Sequence, residues 1–317
     1  MNVMITGCAG FIGSHAVDLF LDLGYCVTGI DSFTYAGKPA NIIHHNKNKN
    51  FKCFNVDICN TAELSSICSI RNVEWIINFA AETHVDNSIN DVSHFVHSNI
   101  RGVISLLEVC REFNIPIFHI STDEVYGSTQ TGTFEETDIL SPQNPYSASK
   151  AAAEYMVKAF HNTHGVQYLM VRPSNNFGPR QHDEKFLPTI LRSLLDSRQI
   201  PVYGNGKNIR EWLYVKDTCA SIEFILRNSN KNETYNISSN DEMQNLELVE
   251  LVCGFMNAIP DEAITYVKDR PGHDFRYSIS SKKINDLGML LSGDFRKNMK
   301  ETITWYVDKW NNNNEKN

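Results

Sequence analysis

The sequence predicts an α/β fold in which a doubly wound parallel sheet is followed by a smaller C-terminal α/β substrate-binding lobe. Two observations point there. Short β-branched apolar runs alternate with longer stretches whose apolar residues recur at helical spacing, and the first run enters the first helix through a glycine-rich turn, residues 7–13. A third observation sets the second lobe: the alternation weakens after Arg172, where elements shorten and turn residues multiply.

Taken in order, Val3 to Thr6 reads as a strand, Phe11 to Gly24 as a helix, and Tyr25 to Ile30 and Phe51 to Val56 as strands. Thr61 to Ile70 reads as a helix, Trp75 to Phe79 as a strand, Asn99 to Phe113 as a helix, Ile115 to Ser121 as a strand, Tyr146 to His164 as a helix and Gln167 to Val171 as a strand. Such a βαβ series is Rossmann-like, and its ligands bind at the carboxyl ends of the strands. Helices are expected further on over Leu187 to Ser197, Val215 to Arg227, Leu246 to Met256 and Arg296 to Lys309. The expected division is a sheet domain over residues 1–172 and a second lobe over 173–310. No linker separates them, which allows the two to interdigitate. The asparagine-rich residues 311–317 are expected to fray.

Composition excludes several classes. At 317 residues, 42% of them hydrophobic, the chain can bury a sizeable core, and disorder of the whole is excluded. A formal charge of -8 argues against a phosphate-backbone binder, so no nucleic-acid partner is expected. The eight cysteines lie scattered in apolar stretches, without Cys-x-x-Cys or paired histidine spacing; they read as reduced core thiols, and no metal is expected. Met1 runs directly into a strand-like segment and no apolar run is long enough to span a bilayer, so the expectation is a cytoplasmic protein without a membrane partner.

Gly7, Gly10 and Gly13 permit a tight turn and close approach of backbone to a pyrophosphate, and Phe11 and Ile12 open a helix whose first N–H groups can face that charge. A purely structural turn is the alternative. Asp31 at the end of the second strand favours the dinucleotide reading: its carboxylate can accept both ribose hydroxyls of NAD and would repel the 2′-phosphate of NADP. Asp57 and Ile58 after the third strand could flank the adenine, and Ala80 and Ala81 after the fourth could let the cofactor pass close to the chain; plain packing is the alternative for each.

Tyr146 and Lys150 stand four apart on one helical face, where an ammonium can favour a phenolate and also hold the nicotinamide ribose. The spacing is common by chance. Its position decides: the helix follows the strand ending in Ser121-Thr122, whose hydroxyl can share a substrate proton. Asp123 and Glu124 then place two carboxyls beside the hydride-transfer site, provided the strand ends before Asp123, since consecutive strand residues face opposite sides. A solvated turn or an acidic cap is the alternative reading.

With the glycine loop, whose first two glycines stand three apart, this set resembles the short-chain dehydrogenases. Further segments narrow the resemblance: 31–37 (DSFTYAG), 80–86 (AAETHVD), 121–127 (STDEVYG), 144–150 (NPYSASK), 175–179 (NNFGP), 184–188 (EKFLP), 210–215 (REWLYV) and 270–274 (RPGHD). Over nearly the whole chain the sequence is similar to the extended short-chain dehydrogenases that act as nucleotide-sugar 4,6-dehydratases of the dTDP-glucose type. The resemblance implies that Tyr146, helped by Thr122 and Lys150, takes the proton of the carbon-4 hydroxyl as hydride leaves for NAD. It assigns Glu124 as base at carbon 5 and protonated Asp123 as the acid that expels the carbon-6 hydroxyl. It also implies that Asn176, Arg210, Asn245, Arg270 and His273 surround a nucleotide diphosphate, that Lys185, Leu187 and Tyr203 line base and ribose, and that Glu82 and Asn99 position sugar and water. By analogy with this family a homodimer is expected, paired through the helices at 99–113 and 146–164.

Two departures bear on the substrate. Asn87 stands where relatives using dTDP-glucose commonly carry Arg, and the stretch from Ser128 to Ser141 is short for that branch. Both lean toward UDP, with glucose or N-acetylglucosamine as the sugar. The rival readings are a UDP-sugar 4-epimerase, against which Asp123 and Glu124 argue, and a non-catalytic sugar-nucleotide or NAD-binding module, against which the set Thr122, Tyr146 and Lys150 argues.

Overall fold

A computed structural model describes residues 1–269, 271–291 and 293–314, so Arg270, which the family resemblance places at the diphosphate, lies outside the described residues, as do 315–317 of the tail. The chain begins β1 (Asn2–Thr6), α1 (Phe11–Asp22), β2 (Cys26–Asp31), β3 (Phe51–Asn55), α2 (Thr61–Arg71) and β4 (Trp75–Asn78). It continues with α3 (Val85–Asn90), α4 (Ser93–Phe95), α5 (Gly102–Phe113), β5 (Ile117–Ile120), α6 (Pro145–His164) and β6 (Tyr168–Pro173). After these come β7 (Asn175–Phe177), α7 (Phe186–Leu195), β8 (Ile200–Tyr203), β9 (Ile209–Tyr214), α8 (Val215–Asn228) and β10 (Glu233–Ile237). The last are β11 (Glu242–Gln244), α9 (Asn245–Met256), α10 (Pro260–Ala263), β12 (Ile264–Val267), α11 (Lys282–Asp286) and α12 (Phe295–Asn314).

Seven strands form one sheet in the order β10-β6-β5-β4-β1-β2-β3, and every pairing in it is parallel. Its two apolar faces explain the layering. Val3, Ile5, Val27, Phe118 and Val171 point to a core shared with α1 and α8, while Met4, Ile30, Ile76, Ile117 and Met170 point to a second core with α2, α5 and α6. The order reverses between β1 and β4, which opens a crevice at their carboxyl ends. The seventh strand comes from far along the chain: β10 lies against β6 after an excursion of several elements, so residues on both sides of Arg172 build the sheet. The remaining strands form two small sheets, β11-β9-β7 and β12-β8. Among the described residues no helix is long and apolar enough to cross a membrane.

Two details differ from the sequence reading. The helix expected from Asn99 begins with a π-helical turn, Val96–Arg101, before α5, and Asn99 lies buried in that turn. The last helix extends through Asn314, past the expected end at Lys309.

Arg172 at the end of β6 ties the sheet to α6. It is 1% exposed and meets Glu154, 0% exposed, through Nε at 3.0 and 3.2 Å and Nη2 at 2.6 Å. Its Nη1 donates to the Tyr126 hydroxyl and to the Glu136 carbonyl, and Tyr126 in turn donates to Asn236 of β10 at 2.9 Å. The guanidinium also lies 4.7 Å from the centre of the Tyr126 ring.

His15 of α1 makes fold stability depend on acidity. It is buried, its Nε2 donates to the Pro179 carbonyl at 2.8 Å, and burial pushes its pKa down to about 4. The unfolded chain binds this proton near pH 6.5 and the folded chain only near 4. The stabilisation by neutral His15 is therefore complete above about 6.5 and is lost as pH falls toward 4, a change of about 3 kcal/mol. Thermal melts at pH 7 and pH 5 will show a smaller difference for His15→Gln than for the parent; equal differences would remove His15 as the cause.

Candidate active site

The glycine loop sits where the sheet order reverses. Gly7 has φ +65°, and a Cβ there would lie 2.8 Å from the Ala80 nitrogen; a Cβ on Gly13 would lie 2.1 Å from the Gly7 carbonyl oxygen. Glycine is thus needed for contact between loop, helix and β4. Gly10 caps α1 without a side-chain hydrogen bond, which leaves the first helical N–H groups facing the crevice. Asp31 is 7% exposed and accepts from the amides of Ala9 (2.9 Å) and Phe33 (2.8 Å). Burial raises its carboxyl, and those two amides oppose the rise. A carboxylate has lone pairs beyond these two bonds, so the loop and Asp31 together fit a pyrophosphate and a ribose diol. Asp57 is exposed, accepts from the Cys59 amide (2.8 Å) and faces His97 (3.0 Å), while Ile58 is buried close to Gly102. Ala80 donates from its amide to Thr6 Oγ1 (3.3 Å).

Asn99 has its carboxamide fully engaged. It accepts from the Glu82 amide (2.8 Å) and donates to the Glu82 carbonyl (3.0 Å) and to Ser149 Oγ (2.8 Å), clamping the chain after β4 onto α6. The Glu82 carboxylate accepts from the Tyr35 hydroxyl at 3.2 Å.

The strand before the acids ends at Ile120, and Thr122 caps a 3₁₀ turn over Asp123–Tyr126 by accepting from the Glu124 amide at 3.3 Å. The turn frees both acids from strand alternation. Asp123 is 2% exposed; Thr122 donates to its Oδ1 at 3.2 Å, and its Oδ2 is buried with no hydrogen-bond partner among the described residues. Burial, then the charges of Glu124 and Glu211, holds this carboxyl well above the usual carboxylate range. Glu124 is partly exposed, and the Tyr277 hydroxyl lies 3.5 Å from its Oε2.

Tyr146 opens α6 behind Pro145 and a capping box between Asn144 and Ser147. Burial and the neighbouring Glu124 carboxylate push its phenol up, while the Thr122 hydroxyl opposes them. One turn on, the buried Lys150 donates from Nζ to the Ile120 carbonyl at 2.6 Å, and burial brings its ammonium down to about 8. Thr122, Asp123, Glu124, Tyr146 and Lys150 therefore share the carboxyl end of β5 and the start of α6.

From the second lobe, Lys185 Nζ donates to the Thr83 carbonyl (2.8 Å) and the Tyr203 hydroxyl reaches Asp86 (3.4 Å), so both face the segment after β4. Arg210 donates to the carbonyls of Ile209, Asp274 and Phe275 and lies 4.3 Å over the Tyr277 ring. His273 faces Asp269 at 2.6 Å and Tyr203 at a ring distance of 6.2 Å. Asn176 accepts from Thr218 (2.6 Å), and Asn245 opens α9. Leu187 is 0% exposed within the core, so its side chain presents no surface to a base or ribose.

Sequence reasoning gave no role to Tyr277, Asp274 or Glu211. Tyr277 donates to Asp274 Oδ2 at 2.6 Å beside Glu124, and buried Glu211 accepts from Ser238 and Ser278, with burial pushing it up to about 7. Glu211 lies within the 210–215 segment, Asp274 ends the 270–274 segment and Tyr277 follows it by three residues, but only the folded chain brings them to the acids.

The family model described as GDP-mannose 4,6 dehydratase matches residues 4–302. The low-salt glycan biosynthesis protein Agl12 of Haloferax volcanii is 40% identical over 97% of this chain and 99% of that protein. The dTDP-glucose 4,6-dehydratase of Salmonella typhimurium is 36% identical over 99% and 95%. Among solved structures, DesIV, a dTDP-glucose 4,6-dehydratase from Streptomyces venezuelae with NAD and TYD bound, superposes with a TM-score of 0.95 at 36% identity, covering 98% of each chain. A UDP-glucose 4-epimerase from Thermotoga maritima superposes at 0.90 with 25% identity, over 98% of this chain and all of that one. With the glycine loop at the sheet's reversal, the Tyr146 and Lys150 pair and full-length likeness at this identity, the chain belongs to the GDP-mannose 4,6-dehydratase family of extended short-chain dehydrogenases.

Proposed function

We propose that the chain is a nucleotide-sugar 4,6-dehydratase that uses NAD and converts an NDP-hexose to its 4-keto-6-deoxy form. The observation that carries this is the buried Oδ2 of Asp123, without a hydrogen-bond partner among the described residues, beside Glu124 and next to the Thr122 hydroxyl. Two acids there have no use in an epimerase, which expels no water.

NAD, when bound, supplies an acceptor for the carbon-4 hydride that can give it back at carbon 6. Gly7, Gly10, Phe11, Ile12 and Gly13 would hold its diphosphate, Asp31 its adenosine ribose, Asp57 and Ile58 its adenine, and Lys150 its nicotinamide ribose, with Ala80 and Ala81 giving it room. Tyr146 receives the carbon-4 hydroxyl proton, shared with Thr122, whose hydroxyl opposes the burial that pushes the phenol up. Glu124, the more exposed acid, takes the carbon-5 proton. Asp123, whose carboxyl burial holds above the usual range, is the acid assigned to give its proton to the departing carbon-6 oxygen. Asn99 acts through the backbone clamp, holding Glu82 and the cofactor-facing segment in place. Asn176, Arg210, Asn245, Arg270 and His273 are assigned to the nucleotide's diphosphate, and Lys185 and Tyr203 to its base and ribose.

The proposed division is an NAD-binding part over 1–172 and a sugar-nucleotide part over 173–310. Asn87 and the short stretch from 128 to 141 favour UDP, with glucose or N-acetylglucosamine. The protein is proposed to work in the cytoplasm as a homodimer through α5 and α6, where Tyr155 stands 56% exposed. Incubation with UDP-glucose, UDP-N-acetylglucosamine and dTDP-glucose in turn, followed by mass spectrometry, tests the activity. Loss of one water with no net reduced cofactor is expected, fastest with a UDP-sugar. An unchanged mass with a new epimer, or no change with any of the three, overturns the proposal.

A further inference from the structure

Two cysteines meet at the glycine loop. Cys8 follows Gly7 directly and is 0% exposed, and Cys53 is half-buried on β3, yet their sulfurs lie 3.6 Å apart. A strand separates them: β2 runs between β1 and β3, and Gly29 of β2 is the register partner of both Ile5 and Cys53. Gly29 makes the contact possible. A Cβ at that position would stand 2.7 Å from Cys8 Sγ and 3.3 Å from Cys8 Cβ, filling the gap across which the thiols touch.

We propose that Cys8 and Cys53 form an oxidisable dithiol, closed to a disulfide by a peroxide, and that closure weakens dinucleotide binding. The consequence for NAD rests on the function proposed above; the disulfide does not.

The chemistry balances with one peroxide. Cys53 is the accessible member, and its contact with the Cys8 thiol holds it below the usual thiol range, whereas that same contact and burial push Cys8 up. The Cys53 thiolate attacks a peroxide oxygen, giving a sulfenic acid and hydroxide. The Cys8 sulfur then attacks the sulfenic sulfur, forming the S–S bond and releasing water, so two thiols and hydrogen peroxide become one disulfide and two waters. A thiol reductant reverses the closure by exchange, as expected for an intracellular dithiol.

Closure shortens the sulfur separation to about 2.0 Å. Cys8 must then move toward β3, and its neighbours cannot stay behind: the Cys8 amide donates to the Ile30 carbonyl (3.3 Å), and the Ala9 amide to Asp31 (2.9 Å). The loop assigned to the pyrophosphate and the carboxylate assigned to the ribose are therefore displaced together.

The test uses the full chain incubated with NAD and treated with a small excess of hydrogen peroxide, then divided: one portion is desalted and its bound NAD measured, and the other is denatured, alkylated and read by mass. Expected is a mass loss of two hydrogens, six alkylated cysteines in place of eight, and a crosslinked peptide pair holding Cys8 and Cys53. Bound NAD retained through desalting should fall at least tenfold and return with dithiothreitol. Cys53→Ser and Cys53→Ala should neither crosslink nor lose NAD on the same treatment. A crosslink at another pair, sulfinic acid at Cys53 without a crosslink, or a crosslink with NAD retention unchanged overturns the proposal. Failure of the untreated, reduced protein to retain NAD would instead count against the cofactor assignment, while the crosslink would still be read by mass.

Discussion

Replacing Tyr146 with Phe will abolish formation of reduced cofactor from a nucleotide sugar, whereas replacing Glu124 with Gln will let it accumulate. The reason lies in how the site divides its protons. The phenol meets the carbon-4 hydroxyl, and without its oxygen no group of similar reach can take that proton; Thr122 can relay a proton but its hydroxyl is itself committed to Asp123. A missing general base lowers turnover by roughly 10²- to 10⁴-fold. Glu124 stands past this step, because its carboxylate serves only once a ketone at carbon 4 has acidified the neighbouring hydrogen. Gln keeps its volume and removes its basicity. The near-ultraviolet absorbance of reduced nicotinamide, followed in a single turnover, separates the two. Rising absorbance with Tyr146→Phe, or none with Glu124→Gln while the parent turns over, would overturn this division of roles.

The largest effect on stability is expected at the ion pair beneath α6. Glu154→Gln keeps the shape of the side chain but leaves the Arg172 guanidinium charged and buried at 1% exposure. Breaking a buried pair from one side costs about 3–5 kcal/mol, because the remaining charge loses its partner without regaining water. Tyr126 and the Glu136 carbonyl, which share Arg172, are neutral and cannot replace the carboxylate. The unfolding midpoint in urea should fall accordingly. A double replacement, Glu154→Leu with Arg172→Met, removes both charges and should recover much of the loss. Equal destabilisation of the single and double variants would show that shape, not uncompensated charge, is at stake.

Much of this was legible before folding. The parallel sheet announced itself because strands buried on both faces read as near-continuous apolar runs, as in residues 3–5 and 75–77, and because the helices between them keep one apolar stripe. The catalytic cluster was legible because Thr122, Asp123, Glu124, Tyr146 and Lys150 fall at the ends of elements, where position along the chain dictates position in space. The pairing of β8 with β12 was not, since those strands lie about sixty residues apart and neither alternates clearly. Nor was the engagement of Asn99, whose side chain bonds Ser149 fifty positions away. Leu187 shows a different gap: a motif does not tell which of its side chains faces inward, and α7 turns the side chain of this one to the core. Tyr277 went unread because the turn that sets it against Glu124 carries no periodic signal.

The late arrival of β10 bears on how the polypeptide is made. Until residue 237 has left the ribosome, β6 has one neighbour and an open hydrogen-bonding edge of apolar residues, the kind of surface that pairs with other chains. About sixty residues of second-lobe sequence must be synthesised in that interval, and no contact within the first 172 residues can close the edge for them. A gene cut after residue 172 should therefore yield an aggregating fragment, and chaperone dependence should concentrate in the window between emergence of β6 and emergence of β10.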